Sequence, residues 1–267
     1  MKFHKLAALP LLMLAAPAYA ADAVSYEPAP VAEVAVGDWS GFYAGVQLGG
    51  AFGSSGIFSM DRNGDGVFGD YLPAFDPAVT PLAGGFDGDF NSGFVGGIHV
   101  GYNWQMDRIV FGGLLDVNYA DIGDRQSGFS GTPAFYHIDR EIDWLATARL
   151  KVGYAFTDRV MAYATGGLAY GDVDYRFVSN TPAASVVTGG GHDFGYTVGG
   201  GVEAMVTERV SVGLEYLYTN LGDNDFNVNL SGPAAFSGAG SAGSTDARGS
   251  DRDLDFHTIQ FKVSYHF

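Results

Sequence analysis

Apolar and polar side chains alternate along eight stretches of the chain. The last stretch sets apolar Ile259, Phe261, Val263, Tyr265 and Phe267 against polar Thr258, Gln260, Lys262, Ser264 and His266. Alternation also starts at positions 42, 94, 109, 142, 196 and 210, whereas the run over 160–171 is rich in small residues and its two faces are ambiguous. A period of two is that of an extended strand with one apolar face. The pattern therefore predicts an all-β protein with eight strands.

The connections between these stretches also alternate, in length. Those at 105–108, 156–159 and 207–209 are short and polar, whereas those at 53–91, 120–140, 172–192 and 221–253 are long and rich in Gly, Asp and Ser. A secreted β-sandwich also alternates, but it has no reason to place every short connection at one end. The pattern predicts an eight-stranded antiparallel transmembrane β-barrel with three short periplasmic turns and four long extracellular loops.

The first twenty residues are typical of an export signal. Lys2 and Lys5 precede an apolar run from Leu6 to Ala16, and Ala18-Tyr19-Ala20 follows. The apolar run is too short for a membrane-spanning helix, which needs about 20 residues. We expect residues 1–20 to be a signal peptide of the Sec type cleaved after Ala20, residues 21–38 to be a flexible periplasmic segment, and residues 39–267 to form the outer-membrane barrel.

Composition excludes several classes of protein. Apolar residues make up 47% of the chain and charged residues only 16%, less charge than an ordinary soluble domain carries. The absence of cysteine rules out a disulfide framework and a thiolate zinc site. The formal net charge of −16 argues against nucleic acid as a partner, because phosphate contacts require Lys and Arg.

Four segments carry a resemblance to a known family. They are DWSGFYAGVQLGGAFG, TARLKVGYAFTDRVMAYATGGLAYG, YTVGGGVEAMVTERVSVGLEYLYTNLG and the terminal FKVSYHF. Together they resemble the small outer-membrane β-barrel family of alphaproteobacteria, which is related to opacity-type adhesins and hemin-binding outer-membrane proteins. The resemblance implies roles in envelope integrity, surface recognition or heme binding. It also implies that Tyr265 and Phe267 form the C-terminal signal read by the barrel-assembly machinery.

Charged side chains are expected inside the barrel, on the face opposite the apolar one. This set comprises Asp116, Asp143, Arg149, Lys151, Glu203, Glu215 and Lys262. Eight strands enclose an interior that side chains can fill, whereas water-filled porins need about twice as many strands. Buried charges of both signs must pair or be costly. We therefore favour a plug of ion pairs, and a narrow solute channel is the alternative.

The first long connection contains half of a calcium-binding motif. Asp61, Asn63, Asp65 and Gly66 match D-x-[DN]-x-[DN]-G, in which the oxygens surround the cation and glycine permits the turn. The glutamate expected six positions after the glycine is Leu72, although Asp70 lies nearby. Both a solvated acidic turn and a calcium site agree with this segment.

A few aromatic and histidine side chains bear on heme ligation and catalysis. Tyr136, His137 and His192 lie in the long connections, and Tyr and His side chains ligate heme iron. A catalytic serine needs a histidine partner, and inward-facing His99 and His266 have no evident serine at matched height. The sequence thus predicts a non-enzymatic protein.

The expected function is that of a structural and surface-interaction barrel. Its partners would be outer-membrane lipid, lipopolysaccharide phosphates bridged by divalent cations, the assembly machinery, and surface or host ligands bound by the loops. The alternatives are a narrow small-solute channel and a hemin receptor.

Overall fold

The structure, a computed structural model, describes residues 38–70, 85–130, 134–189, 193–223, 225–232 and 243–267. The signal peptide and nearly all of the N-terminal segment predicted from the sequence lie outside these ranges, as does His192. Within the ranges, we find no helix with the length and apolar character needed to cross a membrane.

The described residues form thirteen strands. These are β1 (Gly41–Phe52), β2 (Phe58–Asp61), β3 (Gly85–Asn91), β4 (Phe94–Met106), β5 (Ile109–Phe129), β6 (Phe135–Thr157), β7 (Val160–Ser179), β8 (Ala184–Thr188), β9 (Asp193–Met205), β10 (Val210–Asn220), β11 (Asn227–Ser231), β12 (Thr245–Gly249) and β13 (Asp255–His266).

Eight of these strands form the predicted antiparallel ring. Following the pairing from β1 through β4, β5, β6, β7, β9, β10 and β13 leads back to β1. The last strand pairs with the first from Tyr43–His266 to Phe52–His257. The Phe267 amide adds a hydrogen bond of 3.0 Å to the Phe42 carbonyl. Each ring strand therefore has two neighbours, which is how a barrel avoids an exposed edge.

Alternation places the apolar side chains on the outside of the ring. Exposed residues include Phe42, Leu48, Ile98, Val117, Leu150, Val202, Leu214, Phe261 and Phe267, while the polar partners of the alternation are buried. The ambiguous run belongs to β7, in which Met161, Tyr163 and Thr165 point inward and Leu168 points outward. The outside of the ring is thus apolar, as a strand surface in contact with lipid must be.

The three short connections are tight turns at one end of the ring. In two of them a threonine hydroxyl accepts backbone hydrogen bonds: Thr157 from Arg159 and Val160, and Thr207 from Arg209 and Val210. The third, between β4 and β5, turns at Asp107, whose φ of 54° is positive. A side chain that bonds its own turn favours a short connection.

The long connections contain more strand than the sequence predicts. Strands β5, β6 and β7 have 21, 23 and 20 residues and continue beyond the ring, so most of 120–140 is a hairpin. The prediction missed it because the pairing register shifts between Tyr119 and Ile122 and between Ile142 and Trp144. Such bulges interrupt the period of two, and Gly, Asp and Ser are weak strand formers.

The other long connections build a second sheet at the same end of the ring. Its strand order is β2-β12-β11-β8. An apolar cluster joins this sheet to the extended hairpin. Its buried members are Phe58, Met60, Tyr136, Ile138, Phe226, Val228, Leu230 and Ala247. We call this assembly of second sheet and hairpin the outer layer.

Candidate functional site in the interior of the ring

The inward side chains of β6 change character several times along the axis of the ring. From the short-turn end, Ala155 is apolar, Lys151 and Arg149 are charged, and Leu145 is apolar again. Farther out, Arg140 lies below the cluster of the outer layer. The interior is therefore a stack of apolar and charged layers.

The first apolar layer closes the ring at the end that carries the short turns. It consists of Trp39, Val110, Ala155, Met161 and Tyr163, with Met205 packed against it. Trp39 is fully buried and its backbone amide donates a hydrogen bond of 2.7 Å to Gln105 Oε1. Sequence reasoning missed this role of Trp39, for which the only signal was an aromatic residue just before the first strand.

Arg149 is at the centre of the charged layer. Its Nη2 lies 2.7 Å from Asp116 Oδ2 and its Nη1 lies 3.0 Å from Glu215 Oε1. All three side chains are almost completely buried. Asp116 also accepts a hydrogen bond of 2.6 Å from Thr147. A buried arginine with two carboxylates satisfies its charge and most of its donors.

Two lysines complete the charged layer. Lys262 lies 3.3 Å from Glu215, and Lys151 lies 3.4 Å from Glu203 and over the rings of Tyr43 and Tyr163. These rings pack where inward glycines leave space: a Cβ on Gly101 would lie 2.4 Å from the Tyr43 ring. The glycines of the interior thus accommodate tyrosine rings.

The assignment of Asp143 to the interior is wrong. Asp143 is exposed, and neither the β5–β6 nor the β6–β7 register gives it a partner. The bulge at this position changes the parity of β6, so that Ile142 is buried and Trp144 faces outward. Six of the seven predicted interior charges are buried in the ring: Asp116, Arg149, Lys151, Glu203, Glu215 and Lys262.

The inward histidines have serine partners, so the prediction that they lack them is wrong. His99 Nε2 lies 2.8 Å from Ser264 Oγ, and His266 Nε2 lies 2.9 Å from Ser211 Oγ. The register of β13 with β1 and β10 determines these pairs. Periodicity within a single strand gives no information about the register between strands.

The geometry of these pairs differs from that of a catalytic triad. Glu203 bonds Ser211 at 2.6 Å and lies 3.6 Å from the same His266 nitrogen that contacts the serine. A triad carboxylate instead bonds the other ring nitrogen, where it orients the histidine. Ser211 is fully buried. The cluster therefore fits a structural hydrogen-bond network.

A second apolar layer closes the ring toward the outer layer. It contains Ala51, Val95, Ala120, Ile122, Ile142, Leu145, Ala169, Val173, Leu221, Leu254 and Phe256. Above it, buried Arg140 pairs with Asp124 at 2.6 Å and donates to the carbonyls of Arg252 and Asp253. These contacts attach the last long connection to the hairpin. Sequence reasoning missed Arg140 because it counted this position as loop.

The half calcium motif follows β2 directly. The Asp61 carboxylate accepts hydrogen bonds of 2.8 Å from the Gly64 and Gly66 amides, and Asp70 accepts two from Arg62 and Asn63. Among the described residues no group of three or more His, Asp or Glu side chains is arranged to hold a metal ion. Calcium binding by this turn stays a prediction.

Two of the residues proposed for heme, Tyr136 and His137, do not converge. Tyr136 and His137 are neighbours on β6 and point to opposite faces. Tyr136 is buried in the outer-layer cluster, stacked on Phe58, and burial raises its pKa. His137 Nδ1 lies 2.8 Å from Ser127 Oγ, and the ring stacks on Phe135. Tyr136 and His137 therefore face different surroundings, and heme ligation by either of them stays a prediction.

The C-terminal aromatic residues lie on the outside of the ring. Phe267 and Tyr265 are exposed and contact each other edge to face at 5.2 Å. The Tyr265 hydroxyl accepts a hydrogen bond of 3.1 Å from Arg209, in the turn between β9 and β10. Both rings are therefore accessible at the short-turn end.

Comparison with known proteins identifies similar sequences over almost the whole chain. A family model described as outer membrane protein beta-barrel domain matches residues 6–267. The 31 kDa outer-membrane immunogenic protein of Brucella melitensis is 31% identical over 260 residues, which cover 96% of this chain and 95% of that protein. The 22 kDa outer membrane protein of Rhizobium leguminosarum is 38% identical over 147 residues, or 53% of this chain and 62% of that one.

A solved structure supports the same fold. The outer membrane protein OprG from Pseudomonas aeruginosa superimposes with a TM-score of 0.50, covering 86% of this chain and 99% of its own. The sequences are 16% identical, so the likeness concerns the fold alone.

Proposed function

Because this chain belongs to the outer membrane protein beta-barrel family, we propose that it is a sealed structural barrel that supports the envelope and presents its outer layer for recognition. The protein is an outer-membrane β-barrel, and the filled interior is the observation that carries the proposal. Two apolar layers enclose the ion pairs of Arg149, Lys151 and Lys262. The name of the Brucella melitensis relative, an outer-membrane immunogenic protein, supports a surface role.

We further propose an orientation and a route to the membrane. The short turns face the periplasm and the outer layer faces the exterior, as in bacterial barrels generally. Residues 1–20 are removed after export, and exposed Tyr265 and Phe267 are presented to the assembly machinery. The partners are lipid and lipopolysaccharide, without nucleic acid, and the acidic outer layer uses divalent cations to reach lipopolysaccharide phosphates. Chelation should then weaken retention of the protein in the envelope, and unchanged retention would oppose this part.

A measurement of ion conductance tests whether the barrel is sealed. Refolded monomer in planar bilayers should give no stable conductance steps, because charged side chains that pair inside a narrow ring block water and ions. A general porin inserted under the same conditions serves as the positive control. Stable, large steps from the monomer would instead establish the channel alternative and remove the proposal.

The envelope role requires a separate test. Cells without the protein should become more sensitive to detergent and to chelators, and the full chain should restore resistance. A chain with Glu215→Gln, which disturbs the interior, should restore resistance poorly. Equal sensitivity with and without the protein would limit its role to surface recognition.

Hemin binding is a secondary proposal, and His137 is its accessible candidate ligand in the described chain. His137 is partly exposed, and its imidazole contacts Ser127. Hemin added to refolded protein should show a Soret shift that His137→Ala or His192→Ala removes. An unchanged spectrum with the wild-type chain would exclude it.

A further inference from the structure

Strand β8 ends the second sheet and lacks a partner on one side among the described residues. It pairs with β11 from Ala184–Ser231 to Thr188–Asn227, and β11 is its one neighbour in the sheet order. Backbone groups of alternate residues point to opposite sides of a strand, so about half of its amides and carbonyls lie on the side away from β11. An edge of this kind is a template for another strand.

The side chains of β8 leave this edge unprotected. All five residues, Ala184 to Thr188, are exposed. Natural edges are usually blocked by Lys, Pro, bulges or inward charges. The sequence ASVVT has none of these, and Pro182 lies two residues before the strand, where it leaves the strand amides intact. Within the barrel wall each ring strand pairs on both sides. Beyond the wall, β7 continues from Asp172 to Ser179 and pairs there with β6 alone among the described residues.

Exposed apolar residues of the outer layer concentrate at the same place. Val186 is 61% exposed and Val187 is 46% exposed. Val187 lies on the same face as Val228, which is fully buried, so the apolar cluster of the outer layer stops one strand short of the edge. A strand added beside β8 would cover this valine.

The edge is also the neutral part of an acidic exterior. No Asp, Glu, Lys or Arg occurs from Phe177 to Gly191 or from Phe226 to Thr245, the segments that contain β8 and β11. The chain as a whole carries −16. Outside the apolar wall of the ring, two copies therefore repel each other, but they do not do so at this edge.

We propose that β8 is a self-association edge, at which two copies of this chain pair their β8 strands antiparallel across a two-fold axis. The axis is perpendicular to the sheet, so both copies of a given residue lie on the same face of the shared sheet. A residue on the axis must then pair with its own copy, which makes the central pair Val186 with Val186 or Val187 with Val187. The four-stranded second sheet becomes an eight-stranded sheet shared by two barrels. This proposal concerns the outer layer and holds whether or not the ring conducts.

The absence of cysteine allows a direct test. Single Val186→Cys and Val187→Cys variants place the only thiol of the chain on β8. Under mild oxidation, one of them should form a disulfide-linked dimer at least about tenfold faster than Val67→Cys, because facing strand residues fall within disulfide distance. Val67 is a matched control, since it is 67% exposed and follows β2, which lies at the opposite end of the second sheet from β8. Equal rates for all three variants would overturn the proposal.

A charge at the edge tests the same pairing without cross-linking. In detergent, sedimentation of the wild-type chain should show a monomer–dimer equilibrium. Val186→Lys should weaken the dimer at least about tenfold, because in either register the two lysines would lie on the same face beside the axis and repel each other. Val67→Lys, with the same change in charge, should leave it unchanged. A wild-type chain that stays monomeric at all concentrations, or lysine variants that behave alike, would contradict the proposal.

A peptide distinguishes a second copy from a foreign strand. A synthetic peptide with the sequence of residues 182–189 should compete with dimer formation by occupying the edge. Competition together with the Val186→Lys effect supports self-association. If the peptide binds while the full chain stays monomeric, the edge serves strands of another protein, and the proposal of a second copy is wrong.

Discussion

The ring and the outer layer differ in the side chains that they turn outward and in what their interiors contain. In the ring, Leu150 and Phe261 face outward, whereas Arg149 and Glu215 are buried inside. In the outer layer the arrangement is that of a soluble protein, with Phe58 and Leu230 inside and carboxylates such as Asp65 outside. The difference follows from the solvent: hydrocarbon surrounds the ring, and water surrounds the outer layer. One chain therefore contains a region with an apolar outside and a region with a polar outside. The boundary between them lies at the bulges after Tyr119 on β5 and after Ile142 on β6.

The largest expected effect comes from breaking the charged layer of the ring. Glu215→Gln leaves Arg149 and Lys262 without their shared carboxylate in a buried site. Removing one partner of a buried pair costs about 3–5 kcal/mol, so the free energy of unfolding in detergent should fall by about that amount. Chemical unfolding followed by tryptophan fluorescence measures it. Glu208→Gln, in the exposed turn at 206–209, is the matched control, and equal midpoints for the two variants would contradict the ion-pair plug.

The next effect separates the two regions. Leu230→Ala removes a fully buried side chain from the outer-layer cluster. A cavity of this kind costs about 2–5 kcal/mol. Amides of β11 and β12 should exchange hydrogen faster, whereas those of β13 in the ring should not change. Val186→Ala on the exposed edge should affect neither region, and faster exchange in β13 after Leu230→Ala would show that the two regions unfold together.

A smaller effect concerns the acidic turn after β2. Asp61 stabilises this turn by accepting hydrogen bonds from Gly64 and Gly66. If calcium binds there, calorimetry should record heat with the wild-type chain and much less with Asp61→Ala. Asp87→Ala, which removes an exposed carboxylate of β3, is the control for charge. Identical heats for wild type and Asp61→Ala would remove the calcium site and leave a solvated turn.

The smallest effect is a pH dependence of the outer layer. Burial, with the nearby Arg125 guanidinium, lowers the pKa of His137 below its usual 6.5. The folded chain then binds this proton less readily than the unfolded chain does. The resulting contribution to stability is present above pH 6.5 and is lost as the pH falls toward the folded pKa. Nuclear magnetic resonance titration of the His137 ring checks the direction, and a midpoint at or above 6.5 would contradict it.

Much of the ring could be predicted from the chain because a period of two within a strand is a local property. The alternation of Ile259, Phe261 and Tyr265 with Gln260 and Lys262 identified both faces of β13 without knowledge of its neighbours. Tight turns such as the one at Thr207 are also local, since the side chain bonds its own backbone. The interior charges followed from the same alternation, except at Asp143, where a bulge changes the parity.

The outer layer could not be predicted in this way because its strands depend on distant partners. The β2 segment, Phe58–Asp61, is stable as a strand beside β12, which lies far along the chain. A long connection rich in Gly, Ser and Asp resembles a loop when it is read alone.

The amino-acid sequence by itself determined the all-β class, the eight ring strands, the lipid-facing sides of most of them and the presence of charge in the interior. Only the tertiary structure decided which charges meet, which serine lies beside His266, how Trp39 closes the ring, and that the long connections form a second sheet in which β8 is an outermost strand of the described residues. The reason is that periodicity depends on neighbours in the chain, whereas pairing depends on the register between strands that are far apart in it.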